Sequence, residues 1–173
     1  MTTLPVPIEF ELPGPEWEPV PPESLGVTNA SFLAVRRGVD GEYTPTISIS
    51  GDLRPDDATL DEIAEESLQL LRVQAEDVEL VKRSDIGSAE APAVTQLISA
   101  TVSLEGRRLA LRQAQVLVSF LDTKEPSKRA VVVFSCTTTD TQFDTVGREF
   151  QAMVASVRPT PEAPPEVEGT DAE

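Results

Sequence analysis

Histidine is absent from this chain, and cysteine occurs once, at Cys136. A Ser-His-Asp triad is therefore excluded. A cysteine nucleophile ordinarily needs an imidazole to draw off its proton, and none exists here. A lone cysteine cannot close an internal disulfide. Conventional zinc sites combine Cys and His at short spacing, so they are excluded too. The 9 glycines are scattered, with no Gly-rich loop to cradle a phosphate. No apolar run approaches the roughly 20 residues that span a bilayer. Positive charge is scarce: 14 Lys and Arg stand against 30 Asp and Glu, a formal charge of −16. Such a chain repels phosphate backbones and anionic membrane surfaces, which argues against nucleic acid and membrane insertion. The opening MTTLPVPIEFEL has neither a basic start nor a long apolar stretch. No export signal is read there, and a cytoplasmic protein is expected.

What is present fits one domain with tails. A chain of 173 residues buries roughly 70% of its unfolded surface, so neither disulfide nor metal is needed to hold it. Seven of the 15 prolines fall in residues 5–22 and four in 159–165. Residues 1–30 carry Glu9, Glu11, Glu16, Glu18 and Glu23 without a basic residue. Residues 159–173 carry Glu162, Glu166, Glu168, Asp171 and Glu173, again without one. The expected organisation is a flexible N-terminus over 1–3, a single α+β domain over 4–159, and an acidic, Pro-rich, disordered tail over 160–173.

Ile8, Phe10 and Leu12 alternate with Glu9 and Glu11, the period of a half-buried strand, stopped by Pro13-Gly14-Pro15. Trp17 follows and is expected as a core plug. Residues 31–37 and 46–50 predict paired strands, with Asp40-Gly41 as a tight hairpin turn. Pro45 has no N–H for a ladder and belongs at a strand start or an edge. Thr59 and Glu62 form a capping box. Leu60, Ile63, Ala64, Leu68, Leu71 and Ala75 follow as one apolar helical stripe. Strands are expected over 78–83, 93–104, 108–120 and 130–137. A closing helix should run from Thr139 or Asp140 to Arg158-Pro159. Its core stripe is Phe143, Val146, Phe150, Met153, Val154 and Val157. The fold class expected is α+β, an antiparallel β-sheet flanked by two main helices.

Candidate chemistry is sparse. Glu65 and Glu66 point about 100° apart on a helix, which does not make a shared ligand site. Residues 52–62 are acidic but lack the central glycine of a calcium loop. Ser127 and Lys128 adjoin in a polar loop and form no nucleophile–base pair. No carboxylate falls inside an apolar central strand, where desolvation would raise its pKa for acid–base work. No catalytic residue, cofactor or metal is therefore expected. The strands carry hydroxyls and amides instead. Thr95, Leu97, Ser99, Thr101 and Ser103 alternate onto one face. With Gln113 and Gln115 beside them they make the candidate partner-binding surface. A small apolar ligand held between sheet and helix is the alternative, and an enzyme using a pocketed carboxylate a third.

Several segments carry a family likeness: IEFELPGPEW near the start, SFLAVRRGVDGEYTPTISISG, TLDEIAEESLQLL, RLALRQAQVLV and the closing TTDTQFDTVGREFQAMVASVRP. Their succession over about residues 4–159 resembles the Mog/PsbP-like αβ sandwich. Within it the chain resembles the LpqN-type actinobacterial proteins, and more distantly the Eag effector chaperones. The resemblance implies a non-enzymatic role as a chaperone, adaptor or accessory factor of a secretion or toxin system. The implied partner is another protein, a client or a secretion-system component. It supplies no catalytic residues. LpqN-type proteins carry a lipoprotein signal and an acylated cysteine, and Cys136 matches neither, which favours a cytoplasmic relative.

Overall fold

The computed structural model describes residues 8–25, 30–37, 43–53, 58–87, 92–104, 106–121 and 129–159. Along these run β1 (Ile8–Glu9), β2 (Trp17–Pro19), a 3-10 turn (Pro22–Leu25), β3 (Phe32–Arg36), β4 (Thr46–Leu53) and α1 (Leu60–Gln74). Then come β5 (Glu76–Asp85), β6 (Ala93–Leu104), β7 (Arg107–Leu121), β8 (Arg129–Thr139), α2 (Phe143–Ala155) and β9 (Arg158–Pro159). Seven strands form one antiparallel sheet in the order β2-β3-β4-β8-β7-β6-β5, and β1 pairs β9 separately. The expected α+β class is the one observed. The expected termini, 1–3 and 160–173, and the Asp40-Gly41 turn lie outside the described residues.

α1 begins where its capping box places it. Thr59 Oγ1 accepts the Glu62 N–H at 3.1 Å, and Glu62 Oε1 accepts the Thr59 N–H at 2.8 Å. These bonds satisfy two of the donors a helix start leaves unpaired. Leu60, Ile63, Ala64 and Leu68 then bury one face, with Leu60, Ile63 and Ala64 packing on Val94, Leu117 and Val131 of the sheet. The link from β6 to β7 is closed by Gly106 at φ +79°, a backbone region that glycine enters without steric cost. Leu104 and Arg107 pair directly across it.

The other sheet face carries the larger core. Trp17, Ala34, Ile47, Ile49, Val116, Val132, Phe134 and Cys136 pack against Val146, Phe150 and Met153 of α2. Full burial of a side chain such as Phe134 contributes about 2–3 kcal/mol. Phe10 meets Phe32 edge-on at 5.0 Å between ring centroids, which closes the core near β1.

The closing helix departs from expectation at both ends. Thr139 stays in β8, paired with Leu111, so the sheet holds it one turn short of the helix. Asp140 is taken by Arg112 at 3.0 Å. α2 starts at Phe143 instead. Gln142, buried at its start, accepts the Thr139 N–H through Oε1 at 3.0 Å and donates through Nε2 to the Tyr43 carbonyl at 2.8 Å. At the other end the helix stops at Ala155. Arg158 and Pro159 pair with Glu9 and Ile8, so chain pairing, not proline alone, ends it. The N-terminal strand is correspondingly short: β1 holds Ile8 and Glu9, while Phe10 and Leu12 pack on the core without ladder bonds.

Candidate functional site

The two helices cover opposite halves of opposite sheet faces. α1 lies on β5, β6 and β7, and α2 lies on β7 and β8. Among the described residues, two quarters of the sheet are left without a helix. One is the α2 side of β5 and β6, the other the α1 side of β4 and β8. Hydroxyl side chains line both.

The first quarter holds Thr95, Leu97, Ser99 and Thr101, all half-buried, and exposed Ser103. The structure brings these five into one row, as the alternation requires. It does not bring Gln113 and Gln115 to them. Gln113 pairs with Ile98 and Gln115 with Gln96, so both amides project on the α1 side. Ala114, Arg112, Ala110 and Arg108 accompany the β6 row instead. A strand's two faces follow from its own sequence. The parity between two strands follows from how they pair, and shifting a register by one residue exchanges every side chain between faces.

The glutamines belong to a polar row that crosses five strands beneath and beside α1: Arg83, Gln96, Gln115, Ser135 and Ser48, each opposite the next. Gln96 and Gln115 are only 3% and 5% exposed. Arg83 Nε donates to Gln96 Oε1 at 2.9 Å, and Gln96 Nε2 donates to Gln115 Oε1 at 2.7 Å and to the Ala64 carbonyl at 3.1 Å. Gln115 Nε2 donates to Gln113 Oε1 at 2.6 Å, and Gln113 Nε2 to Thr137 Oγ1 at 3.0 Å. Alternation alone shows Gln96 as an interruption of an apolar face and gives no weight to Arg83, Ser48 or Ser135. The signal for the row is that same glutamine, because an amide on a buried face needs partners.

Where this row emerges from α1, a groove of 210 Å³ opens between Ser67, Leu70 and Gln74 of the helix and Ser48, Ser135 and Gln113 of the sheet. Among the described residues its lining carries no charged side chain. A depression of 170 Å³ continues it past Ser50 and Val133 to Asp52 and Glu66. A separate cavity of 480 Å³ lies at the start of α1, lined by Leu60, Pro92 and Val94 and by Asp61, Asp85 and Arg129.

Several ionisable groups depart from their ordinary ranges. The Gln69 amide, ahead of Arg83, holds the Glu65 carboxyl below its ordinary range. The Arg36 guanidinium does the same, more directly, for Glu149. Burial pushes the Cys136 thiol up to about 12, which suppresses its thiolate. No group of three metal-ligating side chains occurs among the described residues. Among them, no helix is long and apolar enough to cross a membrane.

No protein-family model matches the chain, and no curated protein matches it. Solved structures do. PA94 of Pseudomonas aeruginosa, a protein of unknown function considered a candidate regulator, is 22% identical, with a TM-score of 0.56 over 79% of this chain and 88% of its own. LpqN of Mycobacterium tuberculosis, involved in cell envelope biogenesis, is 16% identical, with a TM-score of 0.59 over 91% of this chain and 86% of its own. Cyanobacterial PsbP of Synechocystis is 12% identical, with a TM-score of 0.58 over 90% of this chain and 94% of its own. At such identities the likeness is one of architecture. The chain shares the α+β sandwich fold of PsbP and LpqN, a seven-stranded antiparallel sheet with one helix on each face.

Proposed function

We propose that this protein is a non-enzymatic protein-binding module. It acts in the cytoplasm as a chaperone, adaptor or accessory factor of a secretion or toxin system, distantly akin to the Eag effector chaperones. The observation that carries the reading is the diagonal placement of α1 and α2, which leaves two hydroxyl-lined quarters of the sheet open. Half-buried Ser and Thr beside Leu97 offer hydrogen bonds and apolar contact to an incoming segment. The lowered pKa values of Glu65 and Glu149 also disfavour acid–base work by those carboxylates. The architecture shared with an envelope-biogenesis protein is consistent with an accessory role and adds nothing more specific.

The test is recovery of partners by the tagged full chain in its own cells, compared with Ser99→Glu/Thr101→Glu and with Ser48→Arg/Ser135→Arg. A defined partner retained by wild type and lost by one of the two surface variants supports the reading. Substrate turnover that disappears on changing one carboxylate would end it.

The 480 Å³ cavity favours a second reading, a carrier of a small ligand between sheet and helix. It exceeds the roughly 300 Å³ at which such sites begin. Asp61, Asp85 and Arg129 in its lining suit a polar ligand better than an apolar one. Native mass spectrometry of protein purified from its source would reveal a co-purifying small molecule.

A further inference from the structure

We propose that the groove on the α1 side of β4 and β8 receives an extended, uncharged polypeptide segment with a basic residue at the end nearest Asp52. This rests on the protein-binding reading and gives it a site and a class of partner.

The floor of the groove is suited to a polypeptide backbone. Ser48 and Ser135 are direct cross-strand partners. Among the described residues, the hydroxyls of Ser48, Ser50, Ser67 and Ser135 make no hydrogen bond within the protein. Each hydroxyl can donate and accept, so together they can meet the alternating N–H and C=O groups of an extended chain.

The buried row sets the polarity of that floor. Arginine only donates, so Gln96 must turn Oε1 to Arg83. Its Nε2 then faces Gln115, Gln115 Nε2 faces Gln113, and Gln113 Nε2 faces Thr137. Every amide in the chain points the same way. Thr137, having accepted, keeps its own O–H to donate, and Gln113 keeps one N–H. The Gln113 amide, fixed in the groove lining, suits a carbonyl oxygen.

Charge and shape narrow the occupant. Among the described residues the groove lining is uncharged in a protein of −16, while the Asp52 carboxylate marks one end. An acidic segment is repelled from that end and a Lys or Arg is drawn to it. Leu70, 61% exposed, offers one apolar contact on the helix wall. Among the described residues no aromatic ring lines the groove, so an oligosaccharide would find no flat ring there to stack on. The 210 Å³ of open space is below the roughly 300 Å³ of an enclosing small-molecule pocket.

The experiment selects displayed random decapeptides on the full chain. Synthetic versions of the winners are then titrated against wild type, Ser48→Ala/Ser135→Ala and the opposite-face variant Ser99→Glu/Thr101→Glu. Circular dichroism confirms that each variant is folded. The expected winners share an uncharged central run with Lys or Arg at one end. Affinity falls about tenfold in S48A/S135A, the loss of two ordinary hydrogen bonds, and is unchanged in S99E/T101E. Winners indifferent to S48A/S135A, or an oligosaccharide that competes for the groove, overturn the proposal. Winners lost only in S99E/T101E overturn the groove and leave the protein-binding reading intact. Selection of no peptide at all overturns both.

Discussion

Glu149 on α2 grips Arg36 on β3 through both carboxylate oxygens, Oε1 to Nε at 2.8 Å and Oε2 to Nη2 at 2.9 Å. Oε1 also accepts the indole N–H of Trp17 at 2.8 Å. One carboxylate thus ties the helix to β2 and β3, at the end of the sheet farthest from α1. The Arg36 and Glu149 side chains are 14% and 24% exposed, so the fork is largely shielded from water.

Removing that carboxylate should be costly. Glu149→Ala leaves Arg36 and the Trp17 N–H without their partner, an expected loss of about 2–3 kcal/mol. Acid should act in the same direction. The folded pKa of Glu149 is depressed, first by its hydrogen bond to Arg36. Its contribution is therefore present above the unfolded value of about 4.3 and is lost as pH falls through the folded pKa. Urea melts of wild type and E149A at neutral pH and near pH 3 check both points. The gap between the two proteins narrows in acid.

The buried amide row should behave as a unit. Gln96→Leu strips a partner from Arg83, from Gln115 and from the Ala64 carbonyl, at an expected cost of about 2 kcal/mol. Gln115→Leu should cost a similar amount. The double variant replaces the pair with matched apolar groups and should cost less than the sum by about 1 kcal/mol or more. A double-mutant cycle by denaturant unfolding measures that coupling, and simple additivity would refute it.

Gly147 in the middle of α2 should tolerate a methyl group. A Cβ there would sit 3.4 Å from Phe143 Cε1 and Cζ, an ordinary contact. Alanine is favoured over glycine inside a helix, so Gly147→Ala is expected to stabilise by about 0.5–1 kcal/mol. Thermal unfolding should show a Tm raised by a few degrees, and a lowered Tm would mean that Phe143 cannot give.

Cys136 should be inert in the folded state. Burial, then the nearby negative charge of Glu149, pushes its thiol up to about 12. A thiolate-directed reagent at pH 8 should label native protein on the order of a thousandfold more slowly than unfolded protein, because labelling waits on opening of the core. The raised pKa also favours folding below the ordinary thiol value of about 8.5. That contribution is lost as pH rises towards the folded value. Alkaline melts of Cys136→Ala should accordingly fall off less steeply than wild type.

Local chemistry is legible in the order of residues. The capping box at Thr59 and Glu62 spans three residues, so it needs no tertiary information. β6 occupies Ala93–Leu104, as its period-2 pattern predicts. The start of α2 is not legible in the same way, because Thr139 and Asp140, good helix caps in isolation, are engaged by Leu111 and Arg112 of another strand. The candidate surface is half legible for the same reason. The five β6 residues share a face by alternation within one strand, whereas the face taken by Gln113 and Gln115 is set by the pairing of β7 with β6.

The absence of histidine and the single cysteine leave no Ser-His-Asp triad and no internal disulfide to assemble from this sequence, and period alone sorted each strand's residues into two faces. Such properties are local or additive, so the order of residues suffices to state them. Which face of β7 meets which face of β6, and which half of the sheet each helix covers, depend on long-range closure of the chain. Only tertiary packing could therefore bring Ser48, Ser135 and Gln113 to one open groove and send Thr95, Ser99 and Thr101 to the other side.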